Sequence, residues 1–417
     1  MGKVLVGNIR GPAGPTDPYE VVNADPTGAA DSTAAFQNAL DLVTPGQPIR
    51  VAPGTYKIAG NLTSTTMPFI FEGPGRESAV FNHTGSGDML RVYRDGSYLG
   101  HPSGSIKGIS INGSSAAAGA CGLHLGDVFQ FELDVDINHF NGVGSVGLHL
   151  DNTRYWTEQL HGQVFVQFNS TNVLFDNSVD NSGFATGSFD RLNLDIYVDQ
   201  GGYGDGVVFN NGAFVVDGHL GIYGNFLTST SQYACLRIEG SNVGDGPSHL
   251  TSIDLQIGVE LNDAAHLAPY TIYFGTTGNF VYACTGRVSF GFNPWTSTNQ
   301  HSNQFRFQGI IIGDYNLTNS ITTQPYSDIT AMSNGASIAH GYAGAIYTTN
   351  GGSSYTGIIL QVGNFTGQRL IVLNEGAGTL TFAAVGTSKV ANGTSCVIAA
   401  NTGKEFIWIS TMWYPLS

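Results

Sequence analysis

Residues 23–58 read "NADPTGAADSTAAFQNALDLVTPGQPIRVAPGTYKI", a helix-shaped interruption in a chain that is otherwise glycine-rich and strand-like. Asp25-Pro26-Thr27-Gly28 is a turn signal, and Asp31 or Ser32 can accept from the orphan N–H groups of a first helical turn. Phe36, Leu40 and Val43 fall three or four apart on one stripe among the helix formers Ala34, Ala35 and Ala39. The spacing predicts a helix over 32–43, stopped by Thr44-Pro45-Gly46. Ile49 with Val51, and Tyr56 with Ile58, alternate around Pro53-Gly54 and predict two short strands. A short helix with one apolar stripe has to lie on something.

What it lies on is read from the middle of the chain, 105–318. One series of short runs is "GLHLGD" at 122, "GLHLDN" at 147, "NVLFDNS" at 172, "GVVFNNG" at 206, "CLRIEGS" at 235 and "TIYFGTT" at 271. A second series interleaves with it: "LDVDINHF" at 133, "GQVFVQFN" at 162, "LNLDIYVD" at 192, "GHLGIYG" at 218, "SIDLQIGVE" at 252 and "GRVSFGF" at 286. Alternation puts Val135, Ile137, Leu194, Ile196, Leu220, Ile222, Leu255 and Ile257 on one face. Asp134, Asp136, Asn193, Asp195, Tyr197, His219, Tyr223, Asp254 and Gln256 take the other. Such strands bury their apolar face only when coil stacks on coil. The pattern predicts an all-β, right-handed, single-stranded parallel β-helix; the alternative, a β-propeller, needs four strands per blade and regular tight hairpins. A solenoid end exposes core and strand edges, so the helix is expected to be its N-terminal cap.

Composition agrees. Glycine is 57 of 417 residues and charged residues only 11%, against a helical bundle. The net charge of -15 with only 16 Lys and Arg disfavours nucleic acid and anionic membrane as partners. Cys121, Cys235, Cys284 and Cys396 are far apart and predict buried thiols rather than a disulfide framework. No secretory signal and no membrane-spanning run is read, so synthesis in a cytosol is expected. Residues 1–20, with "GPAGP", predict an extended linker. From 325 to 417, short strands between Gly, Asn and Thr turns predict an antiparallel β-sandwich-like domain.

The segment Asp25-Pro-Thr-Gly-Ala, Asp31-Ser-Thr-Ala-Ala-Phe-Gln and Val51-Ala-Pro-Gly-Thr-Tyr resembles the start of the pectate-lyase-like β-helix superfamily found in bacteriophage tailspikes and tail fibres. The Gly-Pro lead and the closing segment resemble the ends of phage tail proteins. The resemblance implies a homotrimer in a virion tail, made in the host bacterial cytoplasm. Residues 1–20 would meet other tail proteins, 21–320 form the β-helix, and 325–417 serve trimerisation or receptor contact. The partner it implies is a bacterial surface polysaccharide or glycolipid. The basic residues of calcium-dependent pectate lyases and the Asn-Thr-Asp, Asp-Asp and Gly-His-Gly set of polygalacturonase-type hydrolases have no counterpart.

Candidate chemistry falls in two groups. Asp134 and Asp136 project from one face with Cβ atoms about 7 Å apart. Asp195 and Asp254 stack on the same face in neighbouring coils, beside Tyr197, His219 and Tyr223; such carboxylates suit acid/base work on a glycosidic bond. "DNTRYWTEQLHG", 151–162, concentrates Arg154, Tyr155, Trp156, Glu158 and His161, with Glu158 and His161 an alternative acid/base pair. Trp295 sits in a similar insertion, and exposed aromatic planes suit sugar stacking. "GVGSVG" at 142 is no dinucleotide site, because a strand follows it rather than a helix. The histidines show no metal-ligand spacing, so no metal site or cofactor is assigned and a structural ion is left open. The functions open on sequence are a glycan adhesin, a tailspike depolymerase and, lacking leader and bases, a secreted lyase.

Overall fold

The computed structural model describes residues 17–94, 103–178, 187–199, 204–225, 233–242, 246–261, 270–275, 279–292, 305–314, 333–338, 345–348, 353–363, 369–374 and 377–416. Residues 1–16 of the predicted 1–20 linker and Trp295 lie outside them, whereas Tyr19–Glu20, expected in the linker, pairs in parallel with Ile49–Arg50 as the first strand. The chain divides into two units, 1–304 with 314–320, and 305–313 with 321–417.

The first unit is a parallel β-solenoid of about 8 turns. The first series of runs becomes one sheet, with Asp88–Tyr93, Cys121–Gly126, Val146–Asp151, Thr171–Asp176, Asp205–Phe209, Ala234–Ile238 and Tyr270–Phe274 paired in order. The second becomes the longer strands Phe129–Asn138, Thr157–Gln167, Ser188–Asp199, Phe214–Asn225, Asp254–Leu261 and Phe280–Phe292 of a second sheet. Coils already begin before residue 105, since Phe69–Glu72 and Ala79–His83 both pair with Gly104–Asn112. Five of the six longer strands turn a corner at a left-handed non-glycine residue: Gln130, Gln159, Arg191, Asp217, or Ser252 just ahead of Asp254. The register stacks these five in adjacent coils, so the corner is a continuous edge. Val135, Ile137, Leu194, Ile196, Leu220, Ile222, Leu255 and Ile257 all point inward and are buried, as alternation predicts. All four cysteines are buried thiols, and burial raises the pKa of Cys121 and Cys235.

The helix, Thr33–Leu42, caps this core. Phe36 is fully buried, edge-on to Tyr56 and Phe81 with ring centroids 5.0 and 4.9 Å away. Capping falls to Asp31, whose Oδ1 accepts from the Thr33 N–H at 3.0 Å; Ser32 Oγ instead accepts from the Asp25 N–H. Leu62–Ser64 is the terminal strand of the first sheet. Gln37 satisfies its open backbone: Nε2 donates to the Thr63 carbonyl and Oε1 accepts from the Thr63 N–H, both at 2.9 Å. The helix thus covers apolar core and strand edge together.

The second unit is two four-stranded sheets around Ile358, Leu360, Leu370, Val372, Phe382, Phe406 and Trp413. The expected antiparallel pairing holds only in its last part. Ser337 pairs with Ile359, Ala345 with Ile371 and Tyr355 with Leu380 in parallel, at spacings close to one coil. Among the described residues only Val397–Ile398, Thr402–Ile409 and Met412–Pro415 return antiparallel. Parallel rungs come first because the chain between partners is again long enough to go round a coil.

Phe36→Ala should cost about 3–5 kcal/mol, the range for removing a buried phenyl ring. Urea unfolding of the first unit, followed by far-ultraviolet circular dichroism, measures it.

Candidate functional site

Parallel stacking in register turns outward residues into columns. On the longer strands these run Glu132–His161–Asn193–His219–Asp254, Asp134–Gln163–Asp195–Gly221–Gln256, and Asp136–Phe165–Tyr197–Tyr223–Gly258. The third column is largely aromatic. Phe165 stacks on Tyr197 at 4.6 Å and 12°, and Tyr197 on Tyr223 at 5.6 Å and 33°. The Arg76 guanidinium closes one end, 3.7 Å above the Phe165 ring and 3.4 Å from Asp134.

A polar network runs beside the rings. His219 Nε2 is 3.1 Å from Asp195 Oδ1 and its Nδ1 is 2.9 Å from Asp254 Oδ2. Gln256 Nε2 donates to Asp254 at 3.0 Å, and the Tyr223 hydroxyl donates to Gln256 Oε1 at 3.1 Å. Burial, then the charge of Asp195, pushes the Tyr223 phenol up to about 12, so it remains a donor at neutral pH. Gly221 makes room for this arrangement: a Cβ there would come within 2.3 Å of Asp195 Oδ1 and 2.5 Å of the Tyr223 ring. Asp195 and Asp254 are therefore not in neighbouring coils, as expected from sequence, but two coils apart with His219 between them.

Asp136 ends the aromatic column. Its Oδ2 accepts from Ser110 and Asn138 at 3.4 Å, while Oδ1 is buried without a partner. Burial, helped by the nearby charge of Glu77, raises its pKa. His161 lies at the edge of the same face, 3.8 Å from Glu132, which also pairs with Lys107.

The remaining residues assemble elsewhere. Asp127 accepts from the N–H groups of Thr153, Arg154 and Tyr155 and fixes the loop before Thr157–Gln167. Tyr155 lies under the Arg94 guanidinium at 3.7 Å. Trp156 is 44% exposed, and its Nε1–H donates to Glu158 Oε2 at 3.2 Å. Glu158 Oε1 accepts from Arg191 at 3.1 Å. Glu158 therefore props Trp156, and its bonds lead away from His161, across the left-handed corner at Gln159. Arg154 is exposed. Sequence reading missed Phe165, Gly221 and Arg76 as site residues. Phe165 has the parity of Tyr197 and could have been found; Arg76 arrives from a turn with no repeat signal.

No protein-family model and no curated protein matches the chain. Similar solved structures include the surface adhesin PfbA of Streptococcus pneumoniae, at 12% identity and TM-score 0.40 over 96% of this chain and 100% of that one. ORF18 of Geobacillus virus E2 is similar at 12% identity and TM-score 0.37, over 66% of this chain and 61% of that one, so the match spans under two thirds of its length. The gp42 tailspike of Acinetobacter phage vb_AbaP_AS12 is similar at 8% identity and TM-score 0.30, over 96% and 76%. Phage tail proteins are thus among the similar folds. Likenesses this distant carry no argument about what the chain binds.

Gly221→Val should leave the fold intact and push Tyr223 out toward solvent, away from Asp195 and Gln256. In ultraviolet alkaline titration, one tyrosine equivalent should then ionise nearer the ordinary value of 10 than about 12.

Proposed function

We propose that this chain is a phage tail receptor-binding protein that holds a bacterial surface glycan on the outer face of its longer strands. The observation that carries the reading is the Phe165–Tyr197–Tyr223 column beside the Asp195–His219–Asp254–Gln256 network. Sugar rings present C–H faces to aromatic planes and hydroxyls to carboxylates, imidazole and amide, and a stacked column offers those partners repeatedly along a chain of sugars. The Asp-rich face suits a neutral or amino-bearing glycan better than a polyanion. The tail setting rests on the resemblance of residues 23–58 to phage β-helix proteins. In that setting residues 1–20 lead to the virion, the chain is a homotrimer, and three copies raise avidity without further contacts. Among the described residues no helix is long and apolar enough to cross a membrane. Trp156 with Arg154 and Tyr155 is a second contact of the same kind.

Asp136 favours a second reading, in which the bound glycan is cut. Burial shifts this carboxyl in the direction a general acid needs, and Asp134 beside it supplies the partner carboxylate.

The test is to label bacterial cells with the purified chain and size the released sugars. The binding reading expects labelling without fragments, lost by tenfold or more in Tyr197→Ala with Tyr223→Ala. Fragments of regular repeat length that vanish in Asp136→Asn would establish the cleaving reading instead. Labelling unchanged by the tyrosine substitutions would remove the face from the account.

A further inference from the structure

The first sheet carries a second constellation, remote in kind from the aromatic face. "GLHLGD" and "GLHLDN" place His124 directly beneath His149, because Leu123 pairs with Leu148 and Leu125 with Leu150. The two imidazoles stack with centroids 4.3 Å apart and 22° between planes. His124 is only 7% exposed and Asp151 2%.

Carboxylates interleave with the rings. His124 Nδ1 is 2.8 Å from Asp88 Oδ2, a bond that leaves the lone pair of the neutral ring on Nε2. That Nε2 faces Asp151 Oδ2 at 3.4 Å, and His149 Nε2 faces Asp176 Oδ2 at 3.5 Å. Neither Nε2 atom has a hydrogen-bond partner. On His124 a buried lone pair thus points at a carboxylate oxygen, an arrangement that calls for a positive centre, proton or metal, between them. Three carboxylates converge here, and the neighbouring cation is Arg91, 3.9 Å from Asp88. With neutral rings the cluster retains about two negative charges.

We propose that His124 Nε2, His149 Nε2 and Asp151 Oδ2 bind a divalent transition-metal ion of the zinc class, with Asp176 Oδ2 as fourth ligand. His124, His149 and Asp151 each offer a ligand atom within 4.8 Å of the others; bonds of about 2 Å require the two stacked rings to turn toward a common point and Asp176 to follow. Two imidazoles with a carboxylate select zinc-like ions over calcium or magnesium, which prefer all-oxygen sets. The surroundings are those of a supported site. Asp88 orients His124 through Nδ1. Ser178 holds Asp151 through its backbone N–H at 3.1 Å and its hydroxyl at 2.6 Å. Asn177 and Asn211 occupy Asp176 Oδ1 at 2.9 and 2.8 Å and leave Oδ2 to the metal. The ion would clamp Cys121–Gly126, Val146–Asp151 and Thr171–Asp176, three successive coils, so its role is structural.

The test uses the full chain without a polyhistidine tag, stripped with chelator and dialysed against Zn²⁺ or Co²⁺. One ion per chain is expected, with the visible d–d absorption of a low-symmetry Co²⁺ site. Zn²⁺ should raise the melting temperature and Mg²⁺ should not, a readout that needs no variant. His149→Gln and Asp151→Asn should each weaken uptake tenfold or more, and Asp88→Asn about 10–100-fold through ring orientation. No stoichiometric uptake by the native chain, or uptake unchanged in the two ligand variants, would overturn the proposal. A melting temperature that depends on pH and not on Zn²⁺ would assign the cluster to protons instead.

Discussion

In-register parallel stacking is the constraint on which the rest of this molecule depends. Each residue of a strand lies above its equivalent one coil earlier, so a single inward Leu or Val becomes one rung of a continuous apolar column. The same rule acts on the outside without regard to chemistry. It lines Phe165 up with Tyr197 and Tyr223, His124 with His149, and five left-handed residues into one corner. Sites on such a fold are therefore ladders: extended, repetitive and built from residues some 25 to 35 apart in sequence. A long polymer of similar units is the ligand geometry that a ladder matches.

A stack also has ends, and the N-terminal end shows what they require. Phe36 fills the open core while the Gln37 amide pairs both backbone groups of Thr63 on the last strand. An apolar stripe alone would have left that edge open to another chain. At the other extreme of the sequence the parallel rungs give way to antiparallel returns between Thr402 and Pro415. Antiparallel closure ends the series of coils within the second unit.

Much of the fold was legible because parity and repetition are properties of sequence. The two series of runs map onto the two sheets, and the helix lies within one residue of its predicted ends. The parallel rungs at 337–382 were missed because Gly, Asn and Thr turns obscure a spacing that is still one coil. The candidate site was only partly legible. Tyr197, His219 and Tyr223 follow from alternation, but that His219 lies between Asp195 and Asp254 depends on the register between coils of unequal length. Gly221 offers no signal of its own, since its contribution is the space it leaves for Asp195. Glu158 and His161, close in sequence, are turned apart by the left-handed Gln159 between them. His124 and His149 looked scattered because a metal-ligand spacing of one coil resembles no local motif.

The most direct test of the central claim is diffraction from crystals of the chain grown with an oligosaccharide of the surface glycan it labels. Sugar rings should lie along Tyr197 and Tyr223, with hydroxyls on Asp195, His219 and Gln256. Sugar bound only at the 152–156 loop or on the second unit, with the aromatic column bare, would contradict it.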